Sequence, residues 1–159
     1  MTVANPVRIA PLSAHPDALP LLRRWFEQEW PDYYGPGGEG DAAHDLRAFA
    51  GSGNGLPFAL VALRDGVVCG IAALKAQSIA SHAHLTPWAA AGLVEPGQRR
   101  GGIGALLLQG LVDEARRRGH AFLYCGTSTS ESLLQRQGWE LLERVMHAGQ
   151  PLGVYRKAL

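Results

Sequence analysis

The sequence predicts an α+β domain with a mixed sheet, and three observations carry that expectation. Hydrophobic residues switch between periods of about 2 and 3.6 in the order strand, two helices, three strands, helix, strand, helix, two strands. Arg64-Asp65-Gly66 separates two apolar runs, and Asp-Gly in that position signals a tight hairpin. An apolar run over residues 88–94 feeds a loop rich in Gly and Arg and then an amphipathic helix over 103–118.

Each element has a local reason. Residues 7–12 form a short strand candidate. Ser13 can cap a following helix, with Leu19, Leu22 and Phe26 at helical spacing and Pro31 as its stop. Residues 32–40 are dense in Gly, Tyr and Pro and predict a loop. Asp41 can cap a second helix carrying Leu46, Phe49 and Ala50 on one face, and residues 51–57 break it. Strands follow at 58–63 and 67–74. The helix over 103–118 places apolar residues at 103, 106, 107, 111 and 115. Arg116, Arg117 and Arg118 match the negative end of its dipole and are expected in solvent, and Gly119 ends it. A strand at 121–125, a short helix at 132–137 and strands at 140–146 and 152–156 complete the order.

Composition narrows the function. A chain of 159 residues with no linker or repeat fits one domain, residues 1–159. A net charge of +1 argues against nucleic-acid and membrane partners. No run approaches the ~18 apolar residues of a membrane helix. The start, Met-Thr-Val-Ala-Asn-Pro, lacks the features of a signal peptide. Cys69 and Cys125 are too few for a disulfide framework, which predicts a reduced, cytoplasmic setting. Oligomeric state is not legible, and a homodimer stays open.

The loop from Val94 to Gly104 reads Val-Glu-Pro-Gly-Gln-Arg-Arg-Gly-Gly-Ile-Gly. The first turn of a helix leaves backbone N–H groups unpaired and carries partial positive charge. Gly101, Gly102 and Gly104 remove side chains that would hold a ligand off those amides. The pattern predicts a seat for a phosphate or diphosphate. A Walker loop fits poorly, because Ile103-Gly104-Ala105 follows where Lys-Ser/Thr is needed and no lysine can reach a terminal phosphate. A dinucleotide fingerprint fits poorly: Leu107 occupies the third glycine position, and no acid ends the next strand.

The run Val94-x-Pro96-x-x-Arg99-x-x-Gly102-Ile103-Gly104 resembles motif A of the GNAT superfamily, the acyl-CoA-dependent N-acyltransferases. Arg99-x-x-Gly102-x-Gly104 stands as its Gln/Arg-x-x-Gly-x-Gly/Ala signature. The likeness extends over most of the chain: Thr86-Pro87-Trp88 precedes the fourth strand, and Gln137-Gly138-Trp139 is similar to the Gly-Phe/Trp that closes the family's last helix. The resemblance implies a mixed, mostly antiparallel sheet of six to seven strands flanked by about four helices. It also implies that the fourth strand and the strand after the central helix splay apart to admit acetyl-CoA. Leu93 and Val94 would then pair with the pantetheine arm. The amides of Arg100, Gly101, Gly102, Ile103, Gly104 and Ala105 would hold the diphosphate, with Arg99 and Arg100 as candidates to add charge. The acceptor would be a primary amine of a small molecule or peptide.

Acyl transfer to an amine needs a base, an oxyanion donor and an acid for the leaving thiol. By alignment the oxyanion donor lies near Gly92, whose place in an apolar strand marks a bulge, a close approach or a packing contact. His84 and Glu29 are candidate bases; Glu29 precedes Trp30-Pro31-Asp32-Tyr33-Tyr34, an aromatic and acidic segment suited to a cationic amine. Many GNAT proteins carry a tyrosine acid four residues before the Gly-Phe/Trp pair, and this chain has Leu134 there. Tyr124, Ser132 or water are the substitutes, unless the thiol, with a pKa near ~8.5, leaves unaided. A non-catalytic acyl-CoA-binding domain is the alternative that Leu134 motivates. A nucleotide-binding module unrelated to coenzyme A is the third reading. No metal site is expected.

Overall fold

The computed structural model describes residues 6–51, 54–99 and 101–159. Among these residues seven strands form one sheet: β1 (Arg8–Pro11), β2 (Phe58–Arg64), β3 (Val67–Lys75), β4 (Trp88–Val94), β5 (Phe122–Thr127), β6 (Glu140–His147) and β7 (Gln150–Ala158). Their spatial order is β1-β2-β3-β4-β5-β7-β6. Only β4 and β5 run parallel; every other neighbouring pair is antiparallel. The helices are α1 (Leu19–Glu29), α2 (Pro31–Tyr34), α3 (Ala42–Phe49), α4 (Ile103–Arg117) and α5 (Glu131–Arg136).

The central strands are apolar along their whole length because both faces of the sheet are covered. In β2, Leu60 and Ala62 pack with Ile103, Leu107 and Leu111 of α4. The alternating Val61 and Leu63 pack on the other face with Leu22 and Phe26 of α1 and Leu46 and Phe49 of α3. The period-2 geometry of a strand thus divides one apolar run between two cores. The β2–β3 turn is the expected pair, with Asp65 and Gly66 both at positive φ (55° and 77°). Asp41 caps α3 as predicted, its Oδ1 accepting from the His44 amide at 3.0 Å.

Four expectations need correction. Ser13 caps nothing: it lies within a 3-10 turn, Leu12–Ala14, and a second such turn, Pro16–Ala18, follows before α1 begins at Leu19. Pro20 then sits in the first turn of α1, where a missing N–H costs little. The segment after Pro31 holds a helix, α2, which makes five α-helices among the described residues. Leu106 faces solvent at 46% exposure, whereas Leu108 and Val112 are buried. Arg118 is not a solvated helix end. It bonds Glu114 (2.9 Å) and the carbonyls of Asn54 and Gly55 (2.8 and 3.1 Å), and lies 4.7 Å from the centre of the Phe58 ring.

Candidate active site

β4 pairs with β3 over most of its length but with β5 only at Trp88↔Tyr124 and Ala89↔Cys125. Beyond Ala89 the two strands part. At the same point β4 carries a bulge: Ile71 pairs with Leu93 and Ala73 with Ala90, leaving Ala91 and Gly92 opposite Ala72 alone. Ala91 takes the left-handed conformation, φ 55°, that an alanine adopts only at a cost of roughly 1–2 kcal/mol. A Cβ on Gly92 would meet nothing within 4 Å, so packing does not require this glycine. Its backbone is open to the space between the strands.

That space is a cleft of about 910 Å³. Its walls are β4 from Ala89 to Val94, the end of β5 with Ser128, Thr129 and Ser130, the N-terminus of α4, three residues of α5 (Leu133, Leu134 and Arg136), and Glu29 and Trp30 at the end of α1.

The α4 terminus is built from backbone. Gly102 is the residue before the helix, at φ 84° and ψ 3°, and no side chain caps it. The first amide bond returns from Leu106 to Gly102 at 3.1 Å, and the amides of Ile103, Gly104 and Ala105 have no partner among the described residues. Unpaired donors on a helix dipole suit an anion. Ile103 is 1% exposed and anchors the turn in the core below. At Gly104 an added Cβ would lie 3.8 Å from Leu133 Cδ2 and 4.0 Å from Val94 Cγ2, ordinary contacts, so the protein's own packing does not demand glycine there.

Arg99 does not point to the anion seat. Its Nε donates to Val94 O at 2.9 Å and its Nη2 to Glu29 Oε2 at 3.0 Å. Both side chains are about two-fifths exposed, so the ion pair is worth no more than about 1 kcal/mol. It ties the loop before α4 to the end of α1. Arg100 lies outside the described residues. Glu29 is the one carboxylate among the described residues that line the cleft, and Trp30 stands beside it with its ring edge-on to Phe26, 5.2 Å between centres.

The other candidates separate cleanly. His84 is exposed and does not line the cleft; its neighbour His82 is buried between Ser81 Oγ (2.8 Å from Nδ1) and Glu143 Oε1. Tyr124 is 8% exposed and packs with Trp88, Ile79 and Val154 on the far side of the sheet, because alternation turns it away from Cys125. Ser132 is exposed and outside the cleft lining. Cys125 does line the cleft, and burial pushes its thiol up to about 12, which keeps it protonated and a poor nucleophile. Leu134 is 1% exposed in the cleft wall.

Two features were not anticipated. One is the row of hydroxyls ending β5: Thr127 Oγ1 accepts from the amides of Thr129 (3.2 Å) and Ser130 (3.0 Å), folding that turn over the cleft. The other is Arg136. Its only sequence signal is a place two residues before Gly138, at the end of the last helix.

A splayed strand pair, opening onto helix amides with no partner among the described residues, fits a ligand with an extended polar arm and a diphosphate. The sequence model of the acetyltransferase (GNAT) family matches residues 19–139. Among solved structures, the ribosomal-protein-alanine N-acetyltransferase from Brucella melitensis superposes with a TM-score of 0.74 at 24% identity, over 97% of this chain and 99% of that one. An aminoglycoside 6'-N-acetyltransferase complexed with coenzyme A gives a TM-score of 0.76 at 16% identity, over 95% and 96%. The aminoglycoside 6'-N-acetyltransferase from Enterococcus faecium gives 0.75 at 16%, over 95% and 96%. No curated protein matches by sequence. The structural likeness establishes the fold, and the family match covers both the strand–loop–helix seat and the final helix with Trp139: the chain belongs to the acetyltransferase (GNAT) family.

Proposed function

We propose that this chain transfers the acetyl group of acetyl-CoA directly to a primary amine, and that the amine belongs to a cationic small molecule or peptide. The observation that carries this reading is the uncapped N-terminus of α4, opening into the gap where β4 and β5 part. Acetyl-CoA supplies an activated thioester; the rest falls to the protein's own groups. The amides of Ile103, Gly104 and Ala105 hold the diphosphate. The edge of β4 around Leu93 and Val94, unpaired toward β5, offers backbone groups to the pantetheine arm. Gly92, in the bulge with open space above it, presents its backbone to the reacting carbonyl.

Glu29 is the proposed base and cation anchor. An alkyl amine with a pKa near ~10 is mostly protonated at neutral pH, so it must be attracted as a cation and then relieved of a proton. A carboxylate held at the cleft by Arg99, next to the Trp30 ring, suits both tasks. Leu134 donates no proton. The leaving thiol is acidic enough, near ~8.5, to depart toward the hydroxyls of Ser128 and Ser130 or toward water. Free Cys69 and Cys125 favour a reducing, cytoplasmic setting, and the near-neutral net charge favours neither nucleic acid nor membrane as a partner. Among the described residues no helix is long and apolar enough to cross a membrane. One acetyltransferase domain accounts for residues 1–159.

The test is steady-state thiol release with a panel of cationic and neutral amines, for wild type and Glu29→Gln. Loss of the base should lower kcat/KM for cationic amines by about 10²-fold. Calorimetric affinity for coenzyme A should change less than about twofold. Undiminished turnover in Glu29→Gln would remove Glu29 from the mechanism.

A further inference from the structure

Among the described residues two arginines line the cleft, Arg99 and Arg136, and they are in opposite states. Arg99 is committed to Glu29 and to the Val94 carbonyl. Arg136 is exposed and makes no ion pair or hydrogen bond among the described residues. Its neighbours fix where it stands. Gln137 Nε2 donates to the Ala105 carbonyl at 3.2 Å, and Leu133 packs over Gly104. Residues on both sides of Arg136 therefore touch the first turn of α4, which puts an uncommitted guanidinium at the rim of the amide seat.

Charge decides what that cation is for. Glu29 cancels Arg99, so among the described residues Arg136 is the uncompensated side-chain charge of the cleft lining. Coenzyme A brings a diphosphate, for which the amides of Ile103–Ala105 provide donors. It also brings a ribose 3′-phosphate, a monoester of about −1.5 to −2 charge at neutral pH. That group is separate from the diphosphate those amides receive, and a planar guanidinium matches phosphate oxygens in pairs. We propose that Arg136 binds the 3′-phosphate of coenzyme A and so selects coenzyme A over donors that lack it. This rests on the reading that the cleft holds coenzyme A.

The experiment is calorimetric titration of the full chain, wild type, Arg136→Gln and Arg136→Glu, with coenzyme A and with 3′-dephospho-coenzyme A. Wild type should prefer coenzyme A by about tenfold. Arg136→Gln should lose that preference by weakening coenzyme A alone, and Arg136→Glu should reverse it. Far-UV circular dichroism checks that the exposed substitutions leave the fold intact. Equal weakening of both ligands, or weakening of neither, would overturn the proposal. If wild type binds neither ligand, the reading of the cleft itself fails, a result distinct from loss of the 3′-phosphate preference alone.

Discussion

The two turns that flank the cleft are made of different material. The β4–α4 turn is made of backbone: a left-handed Gly102, three amides with no partner among the described residues and a Gly104 that keeps their front clear. The β5–α5 turn is made of side chains: the Thr127 hydroxyl folding it, Leu134 in its wall and Arg136 at its rim. A backbone device demands particular residues at particular spacing, because only glycine combines a positive φ with an open face. A side-chain device can trade one residue for another, and here leucine occupies the position where tyrosine is common. The first turn is therefore held to fixed residues and spacing, and the second carries what can vary.

The sharpest way to break this comparison is Gly104→Leu. The site tolerates a Cβ without clash, so the variant should fold with a thermal midpoint within a few degrees of wild type. Its side chain would stand in front of the amides, and coenzyme A affinity, read by calorimetry, should fall by at least about 100-fold, the two-decade loss that ~2.7 kcal/mol represents. Retained affinity would mean that the backbone seat is not the anion site.

On the other turn the expectation is the reverse, a structural effect without a chemical one. Leu134→Met conserves volume and should cost less than about 1.5 kcal/mol in denaturant unfolding. Its kcat should stay within about twofold of wild type, since no proton comes from this position. Leu134→Ala should cost about 2–5 kcal/mol through the cavity it leaves in a fully buried site. A large loss of kcat in the methionine variant, with stability preserved, would give Leu134 a role in catalysis that its chemistry does not suggest.

The same contrast explains what could be read from sequence. The glycine turn into an uncapped α4, the Asp41 cap and the Asp65-Gly66 turn are local: each depends on residues within a few positions, and each has the backbone geometry expected. The splay of β4 from β5 followed from family resemblance rather than from periodicity, since an apolar run does not say where pairing ends. Arg99, by its place in the motif, is a candidate to add charge at the phosphate. Its actual partner, Glu29, lies 70 positions away, and an exposed pair of that separation leaves no pattern in the chain. His84 and Tyr124 had suitable chemistry, but one faces solvent and the other the opposite core. Arg136 was passed over because a lone arginine at a helix end reads as surface until the packing of α5 on α4 gives it a place. Ser13 failed as a cap for a local reason, Pro16, which diverts the chain into a second 3-10 turn.

The account stands on the amides of Ile103, Gly104 and Ala105 receiving the diphosphate of coenzyme A. Amide proton and nitrogen shifts, followed by NMR as coenzyme A is titrated into the labelled chain, test that directly. The largest changes should fall on those three amides and on Leu93 and Val94 across the cleft. Saturable binding with those signals unmoved, and the changes centred on another face, would contradict it.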